Sequence, residues 1–295
     1  MTAVRDEIFE ELLAYLSAER GFDLTGYKRP TIMRRISKRM QMLGIEDFGD
    51  YRNYFQAHPE EIPELLNTIL INVTSFFRDP EAWDYLIKEI FPRIVAGKKE
   101  SDPIKIWNAG CASGEESYTI CMVLAEALGD DEFCKRVKIY ATDMDEDALG
   151  QARLGIYKPP DLAEISSPLC EKYFEPSGDN FIFRKDLRRS IIFGRHDLLK
   201  DPPISKLDLL ICRNTLMYFN SESQGIIVAN FHFALNENGY LFLGKSELLL
   251  PHSNLFIPVD ERYRIFSRVK NINLRDRLLL LARARNREIV SRSVH

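Results

Sequence analysis

Two adjacent carboxylates, Glu115 and Glu116, follow directly on a run of small residues, Gly110, Cys111, Ala112, Ser113 and Gly114, which itself follows an apolar stretch over residues 104–109. Strand, glycine turn and helix start in that order build a nucleotide cradle, because small residues admit close backbone approach and a helix N-terminus adds a favourable electrostatic pole. The run has neither the G-x-G-x-x-G order of dinucleotide binders nor the Lys-Ser/Thr ending of a P-loop. Carboxylates at the helix start repel a pyrophosphate. They tolerate a cationic, hydroxyl-rich ligand, and a sulfonium nucleoside such as S-adenosylmethionine is both.

Ligands of alternating strand–helix folds bind at the carboxyl ends of the strands, which directs attention to two further places. Asp143 lies in ATDMDEDAL, 29 positions beyond Gly114. It can accept hydrogen bonds from ribose hydroxyls, or it or Asp145 can simply cap the next helix. Arg213 and Asn214 interrupt the apolar run of DLLICRNTLMYF. They can offer donors to an adenosine, a carboxylate or a neighbouring loop, or form a buried salt bridge that holds the loop. Tyr218, four residues on, can face the same cleft or serve as an ordinary core tyrosine. At residues 72–80, NVTSFFRDP, Thr74, two aromatics and Arg78 make a compact group where the composition changes, a favoured place for a ligand lid. Phe76 and Phe77 can instead plug an interdomain core, whereas Arg78, if covered, needs a partner. No convincing general base accompanies these residues; His196 and Asp197 are the nearby candidates.

The elements that must position these groups fall into two regions. Residues 1–72 read as a helical N-terminal domain, with Ile8, Phe9, Leu12, Leu13, Tyr15 and Leu16 on one stripe and Gly21 and Gly26 as punctuation. A second helix over 30–43 sets Arg34, Arg35, Lys38 and Arg39 against Ile32, Met33, Ile36 and Met40. That positive face can be merely solvated, bind RNA, or dock onto acidic helices; the net charge of −4 weighs against RNA. Shorter helices are expected over 48–57 and 60–71, and a linker with a helix, started by Pro80, over 73–98. From residue 104 the pattern alternates: strands over 104–109, 137–142, 207–212, 239–244 and 262–269, helices over 116–128, 146–154 and 221–235. This predicts a doubly wound parallel sheet within a domain spanning 99–270. Residues 158–195 interrupt it and read as a small inserted β-subdomain. Residues 271–295 form a basic, helix-prone tail that can lead to further signalling domains.

The composition, 45% hydrophobic and 28% charged over 295 residues, is that of a globular protein with an ample core. Five scattered cysteines without a CxxC pair argue for reduced thiols and against a disulfide framework or a metal site. No apolar run approaches the roughly 20 residues that span a bilayer, and the acidic N-terminus is unlike a signal peptide. A cytoplasmic protein without membrane insertion is expected.

The runs NVTSFFRDP, WNAGCASGEESYT, ATDMDEDAL followed by ARLGIY, and LDLLICRNTLMYF occur in the order of the signature motifs of the chemotaxis receptor methyltransferases. The chain resembles that family, the CheR family, from about residue 12 to residue 269. The resemblance implies an α/β fold: a Rossmann-like S-adenosylmethionine-dependent methyltransferase domain with an inserted small antiparallel β-subdomain, preceded by an all-α domain. It implies methylation of glutamate γ-carboxylates in the cytoplasmic helical signalling region of chemoreceptors, with S-adenosylhomocysteine as product and no nucleic acid as partner. Carried over position by position, it implies that Asn72, Thr74 and Arg78 contact the cofactor in company with the Gly110 loop. Glu116 would hold the amino group, Asp143 the ribose, and Asp197 and Leu198 the adenine. Arg213 and Asn214 would close the site. Arg78 would lie near the reaction centre, Tyr218 would orient the substrate glutamate, and Arg34, Arg35, Lys38 and Arg39 would dock the receptor. Asp197 stands where the family often has asparagine, and Ser113 where threonine is common. The loop over 175–185 looks shorter than in members that grip a receptor C-terminal peptide, which implies an enzyme that works without that tether. Two other classes compete: a low-turnover S-adenosylmethionine-binding scaffold or sensor module within a larger signalling protein, and a methyltransferase for nucleic acids or small molecules.

Overall fold

The computed structural model describes residues 2–20, 24–70, 72–249 and 254–270, so Gly21 and the basic tail over 271–295 lie outside the described residues. The chain divides into two compact units, residues 1–71 with 218–223, and residues 72–217 with 224–295.

The first unit is helical, with α1 (Thr2–Arg20), α2 (Arg29–Leu43), α3 (Phe48–Ala57) and α4 (Glu61–Ile69). The stripe Phe9, Leu12, Leu13 and Leu16 of α1 is buried, and Phe9 meets Phe48 of α3 with ring centroids 5.2 Å apart. Pro30 sits in the first turn of α2, where its missing N–H costs nothing, and Gly44 closes the helix at φ 71°. Asp47 caps α3 by accepting from the N–H groups of Gly49 and Asp50. Residues 218–223, which follow the sheet strand over 207–212 in sequence, return to this unit: Tyr27 pairs antiparallel with Phe219, and the Lys28 N–H donates to Tyr218 O at 2.9 Å.

A buried ion pair ties α2 to α4. Arg39 donates from Nε and Nη2 to the two carboxylate oxygens of Glu61 at 2.7 and 2.6 Å, and the Tyr51 hydroxyl donates to the same carboxylate at 2.6 Å. Burial opposes ionisation of Glu61, yet Arg39 and Tyr51 outweigh it and hold the carboxyl below the ordinary range. The stability carried by the pair is therefore present at neutral pH and is lost as pH falls through the carboxylate range. Glu61→Ala strands the Arg39 charge and the Tyr51 hydroxyl together, and should cost about 3 kcal/mol in urea denaturation at pH 7. A loss under about 0.5 kcal/mol, the level of an ordinary surface change, would contradict this.

In the second unit a seven-stranded sheet contains β1 (Ile104–Ala109), β2 (Val137–Asp143), β6 (Ile191–Arg195), β7 (Leu207–Cys212), β8 (Leu235–Leu243), β9 (Phe256–Asp260) and β10 (Ile265–Arg268). Its order is β6-β2-β1-β7-β8-β10-β9. The first five strands run parallel, whereas β10 is antiparallel to both β8 and β9. The sheet is thus mixed and not wholly parallel as expected. The β9–β10 hairpin accounts for the difference: its first strand lies at the sheet edge and carries Pro258, which weakens the strand signal of an otherwise apolar run. A smaller antiparallel sheet has the order β3-β5-β4, from β3 (Ile156–Tyr157), β4 (Phe174–Ser177) and β5 (Asn180–Phe183). The expected insertion over 158–195 therefore needs correction at both ends: β3 precedes it, and Ile191–Arg195 pairs in parallel with β2 in the main sheet. A short apolar run looks the same in either sheet; only its partner separates the two. The β4–β5 hairpin closes through Gly178 and Asp179, with Ser177 opposite Asn180.

The helix expected within the 73–98 linker is present but broken in register: Pro80–Tyr85, a π-helical turn Leu86–Ile90, then Phe91–Ala96. Pro92 lacks the N–H that an unbroken α ladder needs, which explains the wider turn before it. From β1 the chain steps outward to β2 and β6, then returns to lay β7 against the other side of β1. The sheet reverses its winding between β1 and β7, and such a switch point opens a crevice at the carboxyl ends of those strands. The glycine run follows β1 and Arg213 follows β7.

Candidate active site

The glycine loop is shaped by inward-facing hydrogen bonds. Gly110 and Cys111 donate their N–H groups to Thr142 O at 2.7 and 3.0 Å, Ala112 donates to Asp143 Oδ2 at 2.8 Å, and Gly114 donates to Cys111 O at 3.0 Å. These backbone donors are spent within the protein, so the loop supplies a close wall and not an anion cradle. Gly110 and Gly114 have φ of 80° and 98°. A Cβ at Gly110 would meet Thr215 Oγ1 at 2.2 Å and one at Gly114 would meet Ala152 Cβ at 2.9 Å, so both positions require glycine.

Of the two roles expected of Asp143, the helix cap falls to its neighbour Asp145. Its oxygens accept from the N–H groups of Ala112 and Asp145, fixing the glycine loop to the end of β2. The cap of the helix Glu146–Leu154 is Asp145, which accepts from Asp147 and Ala148 N–H. Burial pushes the Asp143 carboxyl up, while those backbone donors pull it down.

The two carboxylates of the helix start also diverge. Glu115 accepts from the Ser113 hydroxyl at 2.9 and 2.8 Å, a local bond that braces the loop. Glu116 Oε2 accepts from Arg213 Nη1 at 2.9 Å, and Arg213 Nη2 reaches Asp79 Oδ2 at 2.5 Å. The Arg213 side chain is 2% exposed and lies over the Phe242 ring, 4.7 Å from its centroid. Arg213 thus forms a buried salt bridge that holds the loop. Burial raises the Glu116 carboxyl, opposed by the Arg213 and Arg78 charges. With Asp79 and Glu116 ionised the triad carries one net negative charge. That suits an ammonium group.

Residues 72–80 are fastened at several points. Asn72 Nδ2 donates to Asp145 Oδ2 at 2.6 Å, the Phe77 N–H donates to Thr119 Oγ1 at 3.2 Å, and Trp83 Nε1 donates to Arg78 O at 3.1 Å. Phe76 is fully buried and edge-on to Tyr157 and Phe174, so it belongs to the core of the sheet unit and is no interdomain plug. Arg78 donates one hydrogen bond, from Nη1 to Val73 O at 3.1 Å, and no carboxylate pairs with it among the described residues. Its charge favours the ionised form of Glu116 without a direct bond to it among the described residues.

After β7, Asn214 adopts φ 60° and its Oδ1 is buried without a protein partner. Leu198 is buried; Asp197 Oδ1 accepts from Leu199 and Lys200 N–H in a local turn, leaving that side chain partly committed. Thr74 lies half-buried in the 72–80 loop, and Tyr218 groups with the helical unit. On α2, Arg39 is committed to Glu61, and Arg35 Nη1 to Thr68 O at 2.9 Å. Arg34 and Lys38 remain exposed, one turn apart. The basic face is narrower than the sequence suggests, because a buried carboxylate 22 residues away, on α4, is not visible in a helical wheel.

Two residues of the site escape a reading of motifs. Asp79 adjoins Arg78 in sequence but is significant only through Arg213. Glu247, 3% exposed, sits after β8 and accepts from the N–H groups of Gly244, Asn214 and Met217 at 2.7, 3.0 and 3.3 Å. Its signal was a lone carboxylate between two apolar runs, LFLG and LLL. Burial raises its carboxyl, with the backbone donors opposing.

An orphaned Asn214 carbonyl and a negatively poised Glu116 fit an adenosine-type ligand carrying an ammonium. Among the described residues no group of three or more metal-ligating side chains occurs, and no helix is long and apolar enough to cross a membrane.

Comparison with known proteins bears on the same residues. Residues 72–265 match the family described as CheR methyltransferase, SAM binding domain, and residues 7–70 match CheR methyltransferase, all-alpha domain. A chemotaxis protein methyltransferase of Listeria monocytogenes is 33% identical over 78% of this chain and 86% of its own length. That of Escherichia coli is 30% identical over 83% of this chain and 85% of its own. The chain also aligns, at 33% identity over 90% of its residues, with 28% of the length of an uncharacterized 104.1 kDa protein of Rhodobacter capsulatus.

Proposed function

We propose that this chain, which belongs to the CheR methyltransferase family, methylates glutamate γ-carboxylates in the helical signalling region of chemoreceptors, giving methyl esters and S-adenosylhomocysteine. The observation that carries the reading is the buried Glu116–Arg213–Asp79 triad at the switch point, with the Arg78 charge acting on Glu116 while no carboxylate pairs with Arg78 among the described residues. S-adenosylmethionine supplies an electrophilic methyl group on a sulfonium. Glu116 would hold its ammonium, Asp143 its ribose, Asn214 and Leu198 its adenosine end, with Asn72 and Thr74 in the covering loop and Gly110 as the wall. Asp197 is a weaker candidate for the adenine, because its Oδ1 already serves a turn.

The residues support a carboxylate acceptor. Glutamate, with an ordinary pKa of about 4.3, is ionised at neutral pH and needs no general base. Arg78 would hold and align it, and Tyr218 would orient it; alignment is where such a site gains rate, since the nucleophile needs no activation. An amine or alcohol acceptor would have to lose a proton, and the site offers no poised base. Incubating the protein with receptor-containing membranes and methyl-tritiated S-adenosylmethionine should label the receptor, and mild alkali should release the label as methanol. Label that survives alkali would overturn ester formation.

Docking is assigned to α2, with Arg34 and Lys38 as the exposed cations and Arg35 and Arg39 in supporting positions. Charge reversal of Arg34 and Lys38 together should weaken receptor binding about tenfold at 0.1 M salt and by much less at 0.5 M, because exposed pairs are screened. Unchanged affinity in a sedimentation assay would remove α2 from the interface. The two-residue turn at Gly178 and Asp179 agrees with an enzyme that needs no receptor peptide tether. A second reading, a low-turnover S-adenosylmethionine-binding module, is favoured by the alignment to a part of the much longer Rhodobacter protein. More than one methyl transferred per chain excludes it.

A further inference from the structure

Glu247 is a buried carboxylate with no cationic partner among the described residues, an arrangement that is costly unless its oxygens are well occupied. They are occupied by backbone. A turn closed by the Glu247 N–H on Gly244 O, 2.9 Å, folds the side chain back over the end of β7. Oε2 accepts from the N–H groups of Gly244 and Asn214, and Oε1 accepts from Met217 N–H. One side chain therefore joins the loops that follow two neighbouring strands, β7 and β8.

What it holds is the part of the site least able to hold itself. Asn214 has a left-handed backbone, which a residue other than glycine keeps only when its surroundings fix it. Gly244 must lack a side chain here, since a Cβ would stand 2.7 Å from Asn214 N and 3.0 Å from Glu247 Oε2. The reward for this close packing is the direction of Asn214, whose carbonyl is buried and unpartnered. The other bond fixes Met217, the residue before Tyr218.

We propose that Glu247 is a positioning residue with two separable arms: through Oε2 it sets Asn214 for cofactor binding, and through Oε1 it sets the backbone leading to Tyr218 for methyl transfer. This rests on the methyltransferase reading above. Glutamine distinguishes the arms, because its single carbonyl serves best where two donors converge, at Gly244 and Asn214. Its amide nitrogen then faces the Met217 N–H and loses that bond.

The test uses the full chain, with S-adenosylhomocysteine as the binding probe in titration calorimetry, methyl transfer kinetics, and thermal melting as a control. E247Q should keep its dissociation constant within about threefold while its kcat falls about tenfold or more, as for other groups that orient reactive residues. E247A should lose both, with affinity down about tenfold and kcat down about 100-fold. Wild-type values for E247A, or losses in both variants that follow only the unfolded fraction, would overturn the proposal; if E247A does not fold, E247Q decides alone. Failure of the underlying reading looks different, since a wild-type protein that does not bind S-adenosylhomocysteine, or that methylates another acceptor, would show it before any variant is made.

Discussion

Replacement of Arg78 by alanine should lower kcat for methyl transfer by at least about 100-fold, the scale on which removal of an aligned charged donor acts, and should leave the fold almost intact. The geometry separates the two effects. The loop carrying Arg78 is pinned by Phe76 in the core, by Asn72 on Asp145, by the Phe77 N–H on Thr119 and by Asp79 on Arg213, none of which involves the Arg78 side chain. Truncation removes one hydrogen bond, to Val73 O, worth no more than about 1 kcal/mol at an exposed site. Arg78→Lys keeps the charge but loses the planar fork, and should recover only part of the rate. Single-turnover kinetics beside urea denaturation makes the comparison, and full turnover by the alanine variant would contradict the role given to this side chain.

Arg213→Ala should do the opposite and strike stability first, by about 3–5 kcal/mol, because it removes one partner of a buried ion triad. Glu116 and Asp79 would then face each other without the guanidinium between them. The Glu116 carboxyl, already raised by burial, would lose the charge that most favours its ionised form. Affinity for S-adenosylhomocysteine should fall with it. The double variant Glu116→Gln, Arg213→Met should regain part of the stability, since no buried charge is stranded, yet remain deficient in binding. A double-mutant cycle on stability measures this, and strict additivity would deny the coupling.

Much of this architecture was legible in the sequence wherever a local pattern sufficed. β1 and β7 and the helix Glu146–Leu154 appear with their expected limits, because apolar runs between breakers mark them without reference to anything distant. Gly44 and Pro30 bounded α2 in the same way. What the sequence hid depends on pairing across the chain. Ile191–Arg195 looked like part of the insertion until its parallel pairing with β2 was seen, and residues 218–223 carry no sign that they return to Tyr27 and Lys28. The site divides similarly. The motifs pointed to Glu116, Asp143, Arg78 and Asn214 as candidates, but not to the glycine loop turning its donors inward or to Asp143 anchoring it. Arg39 read as a docking cation because Glu61, its partner, lies 22 residues away.

Peptide mass spectrometry of chemoreceptors incubated with the protein and S-adenosylmethionine tests the central claim most directly. The account predicts a methyl increment, about 14 Da, on glutamates of the helical signalling region, lost on mild alkaline treatment because a carboxylate already ionised at neutral pH is the nucleophile. The same increment on lysine or arginine, stable to alkali, would contradict it.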